Sequence, residues 1–313
     1  MKKLRLALIS GGTSSEREVS LASGREVLAN LDPARYETAL YDPAADLEAL
    51  VRDAPGLDVA FPALHGLRGE DGAIQGLLEL LGVPFVGSGV MASAVAMDKG
   101  MSKDIYRMRG LPVAPDALAP RGGEGARSWA SRIAGGLGLP VVVKPLDHGS
   151  SVGMSLARTE DGLAAALEGA WEHSAVAMAE SDLRGREYTV AVVGNRELTP
   201  FPPVEIVPGP GHPFFDYGAK YQEGECREIC PCDLAPDADG EVRRLAVLAH
   251  RALGCRGLSR TDFILSDGVF HLLETNTLPG LTPQSLLPKA AKAHGLAFPK
   301  LLDLLVDLAL ETA

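Results

Sequence analysis

The sequence predicts an α/β chain whose first third is a small doubly wound parallel-sheet domain and whose remainder is built from hairpins and helices. Three observations carry that reading. A strand, a polar loop and a helix follow one another repeatedly in the first third of the 313 residues, the pattern of βα units in an open parallel sheet. Near the other end, Arg260 to Asn276 holds two apolar runs around a Gly-containing turn, which reads as a β-hairpin. The composition, 46% hydrophobic and 23% charged, is that of a globular protein large enough for two or three cores.

The first unit begins with residues 3–9, apolar and continuous as in a strand buried on both faces. Ser10-Gly11-Gly12-Thr13-Ser14-Ser15-Glu16 is a tight polar loop, and Val19, Leu21, Ala22, Val27 and Leu28 then give a helical stripe. The second unit runs from Tyr36–Tyr41 into a helix after Pro43. The third runs from Leu57–Leu64 through the loop 65–72 into a helix from Ala73 to Leu81. Loops at the carboxyl ends of parallel strands are where such sheets bind ligands, so Glu16 and His65 can face one crevice. Taken alone, Glu16 also suits a helix N-terminus and His65 a local loop hydrogen bond.

After Met97-Asp98-Lys99 a basic amphipathic helix reaches Arg109 and is closed by Gly110. Residues 121–125 have loop or linker composition. Residues 139–145 form a strand carrying Lys144, and the Gly- and Ser-rich turn 147–154 leads into the next strand. That turn can wrap phosphate with backbone N–H groups, yet it lacks the Gly-Lys-Ser/Thr ending and following helix of a P-loop. Strands at Val176–Glu180 and Glu187–Val193 precede a long aperiodic connection, 208–225, whose aromatic residues Phe214, Phe215, Tyr217 and Tyr221 favour a docking lid. Helices at Ala238–Leu253, Gln284–Ala293 and Pro299–Thr312 complete the chain.

The hairpin holds the richest chemistry. Alternation puts Arg260 and Asp262 on one face of their strand, and Glu274 and Asn276 on one face of theirs. With a three-residue turn Leu265 pairs with Val269, Arg260 lies opposite Glu274, and all four share a side; a two-residue turn separates the pairs. On the first register two carboxylates and a carboxamide make a hard-oxygen set suited to Mg²⁺. The other reading is a surface hairpin with ordinary charges, but Leu272 and Leu273 argue for burial.

A net charge of −11 disfavours general nucleic-acid binding. Cys226, Cys230, Cys232 and Cys255 lack paired Cys-x-x-Cys spacing and are expected to be free thiols. No apolar run approaches a membrane span, and the basic start breaks at Ser10-Gly11-Gly12 before a signal-peptide core forms, so a cytoplasmic protein is expected.

Taken together, Gly11–Ser20, Leu64-His65-Gly66 with Gly69–Gly72, Met97-Asp98-Lys99, Val143-Lys144-Pro145 with Gly149–Gly153, Asp216-Tyr217 with Lys220-Tyr221, Arg260-Thr261-Asp262, and Glu274–Thr277 with Pro279-Gly280 resemble the D-alanine:D-alanine ligases of the ATP-grasp superfamily. The match runs in order from about residue 5 to the last helix. The resemblance implies an N-terminal substrate domain (1–96), a central ATP-grasp domain (97–186) and a C-terminal ATP-grasp and catalytic domain (187–313). It implies ATP and two Mg²⁺ ions, which Mn²⁺ can replace, D-alanine as substrate, and a homodimer.

By the same resemblance Asp262, Glu274 and Asn276 are metal ligands, and Lys99, Lys144, Ser150, Ser151 and Lys220 belong to the nucleotide and phosphate site. Glu180 and Leu183 take adenine and Glu187 the ribose. Glu16 receives the first ammonium group, His65 faces the second amino acid, and Lys220 and Ser285 lie near its carboxylate. Arg260 and the Gly280 N–H serve the tetrahedral intermediate, and Tyr221 is a lid residue linked through Ser150 to Glu16. His148 stands where some relatives carry glutamate, and Ser181 where lysine is common; the first bears on lid electrostatics and the second on nucleotide affinity. Other ATP-grasp carboxylate–amine ligases, including D-lactate- or D-serine-using ones, and a nucleotide sensor without turnover are the competing readings. Glu16, His65 and Tyr221 speak against the first group and the full metal set with Arg260 against the second.

Overall fold

A computed structural model describes residues 2–123, 125–149, 152–209 and 226–311. Ser150, Ser151, Lys220, Tyr221 and the expected lid from residue 210 onward lie outside the described residues.

The first sheet is parallel, in the order β2 (Tyr36–Tyr41), β1 (Leu4–Ile9), β3 (Val59–Pro62). Its centre is apolar on both faces because both are covered. Leu6 and Leu8 pack in one cluster with Val27 of α1 (Arg17–Asn30). Ala7 and Ile9 pack in another with Leu50 of α2 (Leu47–Asp53) and with Ile74 and Leu78 of α3 (Ala73–Leu80). Helices on both faces make it doubly wound, as the continuous apolar run 3–9 predicts.

Two helices, α4 (Val90–Met97) and α5 (Lys99–Met108), lead out of this unit. Asp98 caps α5 by accepting a hydrogen bond from the Met101 N–H at 2.9 Å. A four-stranded antiparallel sheet follows, in the order β4 (Asp116–Pro120), β7 (Val176–Ser181), β5 (Val141–Pro145), β6 (Ser155–Ala157). It is covered by α6 (Ala126–Leu137) and α7 (Glu160–Trp171). Sequence patterning left these helices unassigned, because their buried stripes are mostly alanine, including Ala126, Ala130, Ala164, Ala166 and Ala170, and so contrast weakly with the polar side. Residues 121–123 follow β4 as a loop, as their composition predicts, with Gly122 and Gly123 at φ of +100° and +72°.

The largest sheet runs β11 (Cys226–Ile229), β10 (Val204–Pro208), β8 (Arg186–Gly194), β12 (Gly257–Ser266), β13 (Val269–Asn276), with β9 (Thr199–Pro200) also on β8. One face packs on α8 (Pro236–Ala252) through Tyr188, Val190, Phe263 and Leu272. The other face packs on α9 (Leu286–Ala293) and α10 (Phe298–Leu310), in the same cluster that holds Leu6, Leu8 and Phe61 of the first sheet. The four cysteines are free thiols.

The hairpin turn corrects the expected register. Ser266 pairs with Val269 and Leu265 with Phe270, so the loop has two residues, Asp267 and Gly268, both at positive φ (+50° and +79°). A two-residue loop alone would separate the charged pairs. A β-bulge reverses that: Phe263 pairs with Leu272 but Asp262 with Glu274, leaving Leu273 as the extra residue. Arg260 therefore lies opposite Asn276, not Glu274, and the four polar side chains still share one side.

Leu302 on α10 is fully buried in the cluster joining the first and largest sheets. Leu302→Ala should cost roughly 2–5 kcal/mol and shift a single urea transition of the whole chain. A variant in which the N-terminal unit melts separately, with the rest unmoved, would contradict the shared core.

Candidate active site

The polar end of the hairpin is built around one ion pair. Arg260 donates Nε–H to Asp262 Oδ1 and Nη2–H to Oδ2, both at 2.9 Å, the two-pronged geometry that suits a guanidinium to a carboxylate. Thr189 on the neighbouring strand donates its hydroxyl to Asp262 Oδ1 at 2.5 Å, and Asn276 Nδ2 approaches Oδ2 at 3.4 Å. Burial opposes the Arg260 charge, but Asp262 and Glu274 outweigh it and hold the guanidinium protonated beyond its ordinary value. Asp262 and Glu274, directly opposite across the strands, and Asn276 next along supply the hard oxygens a divalent cation takes. No cluster of three His, Cys, Asp or Glu occurs among the described residues. Two carboxylates and a carboxamide would leave the other positions of a Mg²⁺ ion to water and phosphate oxygens, the way that ion is usually held.

The loops of the first sheet form a wall beside this end. The Glu16 carboxylate lies close to Gly66 and Gly149: a Cβ on either glycine would come within 3.2 Å and 2.9 Å of Glu16 Oε1. Two loops distant in sequence thus meet at one carboxylate. His65 is buried, shares a 3.0 Å hydrogen bond with the Ser23 hydroxyl through Nε2, and bonds the Leu278 backbone. Burial, with Arg260 adding to it, lowers its pKa to about 4, so the imidazole is neutral at physiological pH. Glu70 accepts the Gly66 N–H at 2.7 Å. Burial and the nearby Glu16 charge raise its pKa to about 8.

On the other side of the hairpin is a cleft of about 610 Å³ lined by Lys99, Lys144, Glu180, Leu183 and Glu187, and also by Asp262 and Glu274. Leu273, the bulged residue, faces it, as do His148 and Ser181. Lys99 Nζ donates to the His148 carbonyl at 2.6 Å and lies 3.4 Å from Glu274, tying the cleft to the hairpin. Glu180 is buried and paired with both Lys144 and Lys103. Burial works against its charge, but the two lysines prevail and its pKa falls to about 2. Gly280 packs against Ser285, where a Cβ would meet Oγ at 2.7 Å. Ser285 begins α9 and hydrogen-bonds Thr282 through its hydroxyl, at 3.2 Å from the N–H and 2.9 Å from Oγ1.

Lys99, Lys144, Glu180, Leu183 and Glu187 thus share the cleft with Asp262 and Glu274, and Glu16 and His65 stand in the wall, while Gly280 and Ser285 pack on each other at the start of α9. Sequence reasoning assigned no role to Lys103, Glu70 or Thr189. Lys103 was foreshadowed by its spacing, since Lys99, Lys103 and Tyr106 lie on one buried helical face. Thr189 carries no local signal, because its contact exists only through β8–β12 pairing.

Comparisons with known proteins agree with this layout. A family model described as D-ala D-ala ligase C-terminus matches residues 105–307, and one described as D-ala D-ala ligase N-terminus matches residues 44–88. The D-alanine–D-alanine ligase of Syntrophobacter fumaroxidans is 50% identical over 310 residues, covering 99% of both chains. That of Desulfotalea psychrophila is also 50% identical, covering 99% of this chain and 96% of its own. Among solved structures, the Bacillus anthracis D-alanine–D-alanine ligase complexed with ATP superposes with a TM-score of 0.86 at 32% identity, over 99% of this chain and 98% of that one.

The neutral, buried His65 makes a pH prediction. A histidine whose folded pKa is depressed to about 4 contributes stability that is complete above the ordinary value of about 6.5 and is lost as pH falls toward 4. Glu70, raised to about 8, works in the opposite sense between about 4.5 and 8, so the comparison must be differential. Between pH 7.5 and pH 5, wild type should lose roughly 2 kcal/mol more than His65→Gln by urea titration. Parallel pH profiles would show that the imidazole is not held neutral.

Proposed function

The chain belongs to the D-alanine–D-alanine ligase family, and we propose that it joins two D-alanines into D-alanyl-D-alanine for peptidoglycan precursors, with ATP cleaved to ADP and phosphate. The observation that carries this reading is the setting of Arg260, a largely buried guanidinium in the field of Asp262 and Glu274 and beside His65. It stands where a cleft suited to a nucleotide meets a wall suited to amino acids.

In the first step a D-alanine carboxylate oxygen attacks the γ-phosphorus, and ADP leaves with the bonding electron pair. The neutral amine of a second D-alanine then attacks the acyl carbon, the carbonyl electrons collect on oxygen, and the tetrahedral species collapses as the C–O bond to phosphate breaks, the amine proton leaving with the departing phosphate. Arg260 and the Gly280 N–H stabilise that oxyanion, a kind of contribution worth about 3–4 kcal/mol per donor elsewhere. Glu16 receives the first ammonium group. His65, neutral, faces the second amino acid as a hydrogen-bonding rather than a charged group, with Ser285 and Lys220 toward its carboxylate. Lys99, Lys144 and the Ser150-Ser151 segment serve the phosphates, Glu180 and Leu183 the adenine, and Glu187 the ribose. Tyr221, through Ser150, closes the site against water, which would hydrolyse the acyl phosphate. Asp262, Glu274 and Asn276 would hold Mg²⁺ or Mn²⁺, whose charge neutralises phosphate oxygens during transfer.

The same reading divides the chain at 1–96, 97–186 and 187–313 and makes it a cytoplasmic homodimer. No helix among the described residues is long and apolar enough to cross a membrane.

Phosphate release should require both ATP and D-alanine, with L-alanine inert; release indifferent to D-alanine would overturn the assignment. Glu274→Gln should lower turnover by at least roughly a hundredfold, about 2.7 kcal/mol of barrier, at unchanged melting temperature. Near-normal turnover in Mg²⁺ would remove Glu274 from the metal site.

A further inference from the structure

Behind the cleft lies a charge cluster of which the proposed contacts use only Lys144 and Glu180. Asp116 on β4 and Glu180 on β7 are directly opposite one another in the register, with side chains only 7% and 5% exposed. Like charges facing each other across strands repel, and in a dry setting the repulsion is strong. Lys103, reaching in from α5, sits between them: it is paired with Glu180, lies 3.5 Å from Asp116, and donates to the Ala114 carbonyl at 3.2 Å. Arg107, one turn further along α5, takes Asp116 from the solvent side. Lys144 takes Glu180 from the cleft side.

Three cations, Lys103, Arg107 and Lys144, meet the two buried carboxylates Asp116 and Glu180; Arg107 also pairs with exposed Asp104, while Glu180 alone holds two lysines. The lysines are not equivalent. The Lys144 side chain is 11% exposed and lines the cleft, whereas that of Lys103 is 0% exposed and does not. Only Lys144 can turn toward a ligand. If it does, Glu180 keeps Lys103 as its partner and no buried carboxylate is left uncompensated. Without Lys103, moving Lys144 would strand a buried charge, which is strongly unfavourable.

We propose that Lys103 is a positioning residue, the fixed counter-ion of Glu180 that frees Lys144 to engage the phosphates of a nucleotide in the cleft. Lys103 thereby sets nucleotide affinity without touching the nucleotide. The inference rests on the reading of the cleft as the ATP site.

The test measures ADP binding by calorimetry, together with KM for ATP and for D-alanine, in wild type, Lys103→Met, Lys103→Arg, Glu180→Gln and the double variant Lys103→Met/Glu180→Gln. Lys103→Met should weaken ADP binding at least tenfold and raise KM for ATP in parallel while leaving KM for D-alanine unchanged, and Lys103→Arg should retain most of the affinity. Glutamine at 180 keeps an acceptor oxygen but no charge, so the double variant should bind ADP severalfold better than Lys103→Met. Unaltered ADP binding by folded Lys103→Met, equal changes in both KM values, or a double variant no better than Lys103→Met would each overturn the proposal. Should Lys103→Met fail to fold, the double variant is compared with Glu180→Gln: equal ADP affinity supports the role, and a further large loss refutes it. Wild-type protein that binds no ADP would instead overturn the reading of the cleft, and this inference with it.

Discussion

Burying a guanidinium is unfavourable unless anions surround it, and the arrangement around Arg260 follows from meeting that condition. Asp262 does so directly with two hydrogen bonds, while Glu274 adds to the field from the opposite strand; Glu70, its carboxyl pushed up to about 8, meets the site largely protonated from the loop after β3. These carboxyl groups also need cations or donors once buried. Lys99 comes within 3.4 Å of Glu274, Thr189 donates to Asp262, and the Gly66 N–H donates to Glu70. The neighbours of one cation thus span the first sheet, the largest sheet and α5. His65 stays neutral chiefly because it is buried, and the Arg260 charge adds to the effect.

The backbone has to deliver these groups to one side of a sheet, and here a single extra residue decides. The Asp267-Gly268 turn sets the hairpin in a register that would place Asp262 and Glu274 on opposite sides, and the bulge at Leu273 shifts the ladder by one. Bulges re-aim side chains near functional sites. This one also turns Leu273 into the cleft.

Balanced buried charge recurs at the back of the cleft, where Lys103, Arg107 and Lys144 meet Asp116 and Glu180. Around Arg260 the carboxylates of Asp262 and Glu274 stand opposite one another across the strands, which suits a site that receives a divalent cation. Around Glu180 the cations are in excess, which suits one that receives phosphate. The two clusters are joined through α5, whose Lys99 reaches Glu274 while its Lys103 reaches Glu180. The wall and the cleft stay in place because α10 packs the first and largest sheets into one core.

Much of this was legible in the sequence. The βα units followed from continuous apolar runs and polar loops, α5 from its Asp98 start and Gly110 end, and the hairpin from its two runs and turn, since each depends on residues near one another in the chain. Glu16, His65, Arg260, Asp262 and Glu274 could be named as candidates from residue type and order. The alanine-striped helices α6 and α7 escaped because local contrast was weak. What tertiary structure alone decided was convergence. The approach of Gly149 to Glu16, the Thr189 bond to Asp262 and the Lys103 bridge between Asp116 and Glu180 join residues far apart in the chain. The side of the sheet on which the chemistry stands depends on a bulge that strand alternation does not announce. Local sequence fixes which elements form; desolvation makes buried charges find partners, and only packing determines which partners lie within reach.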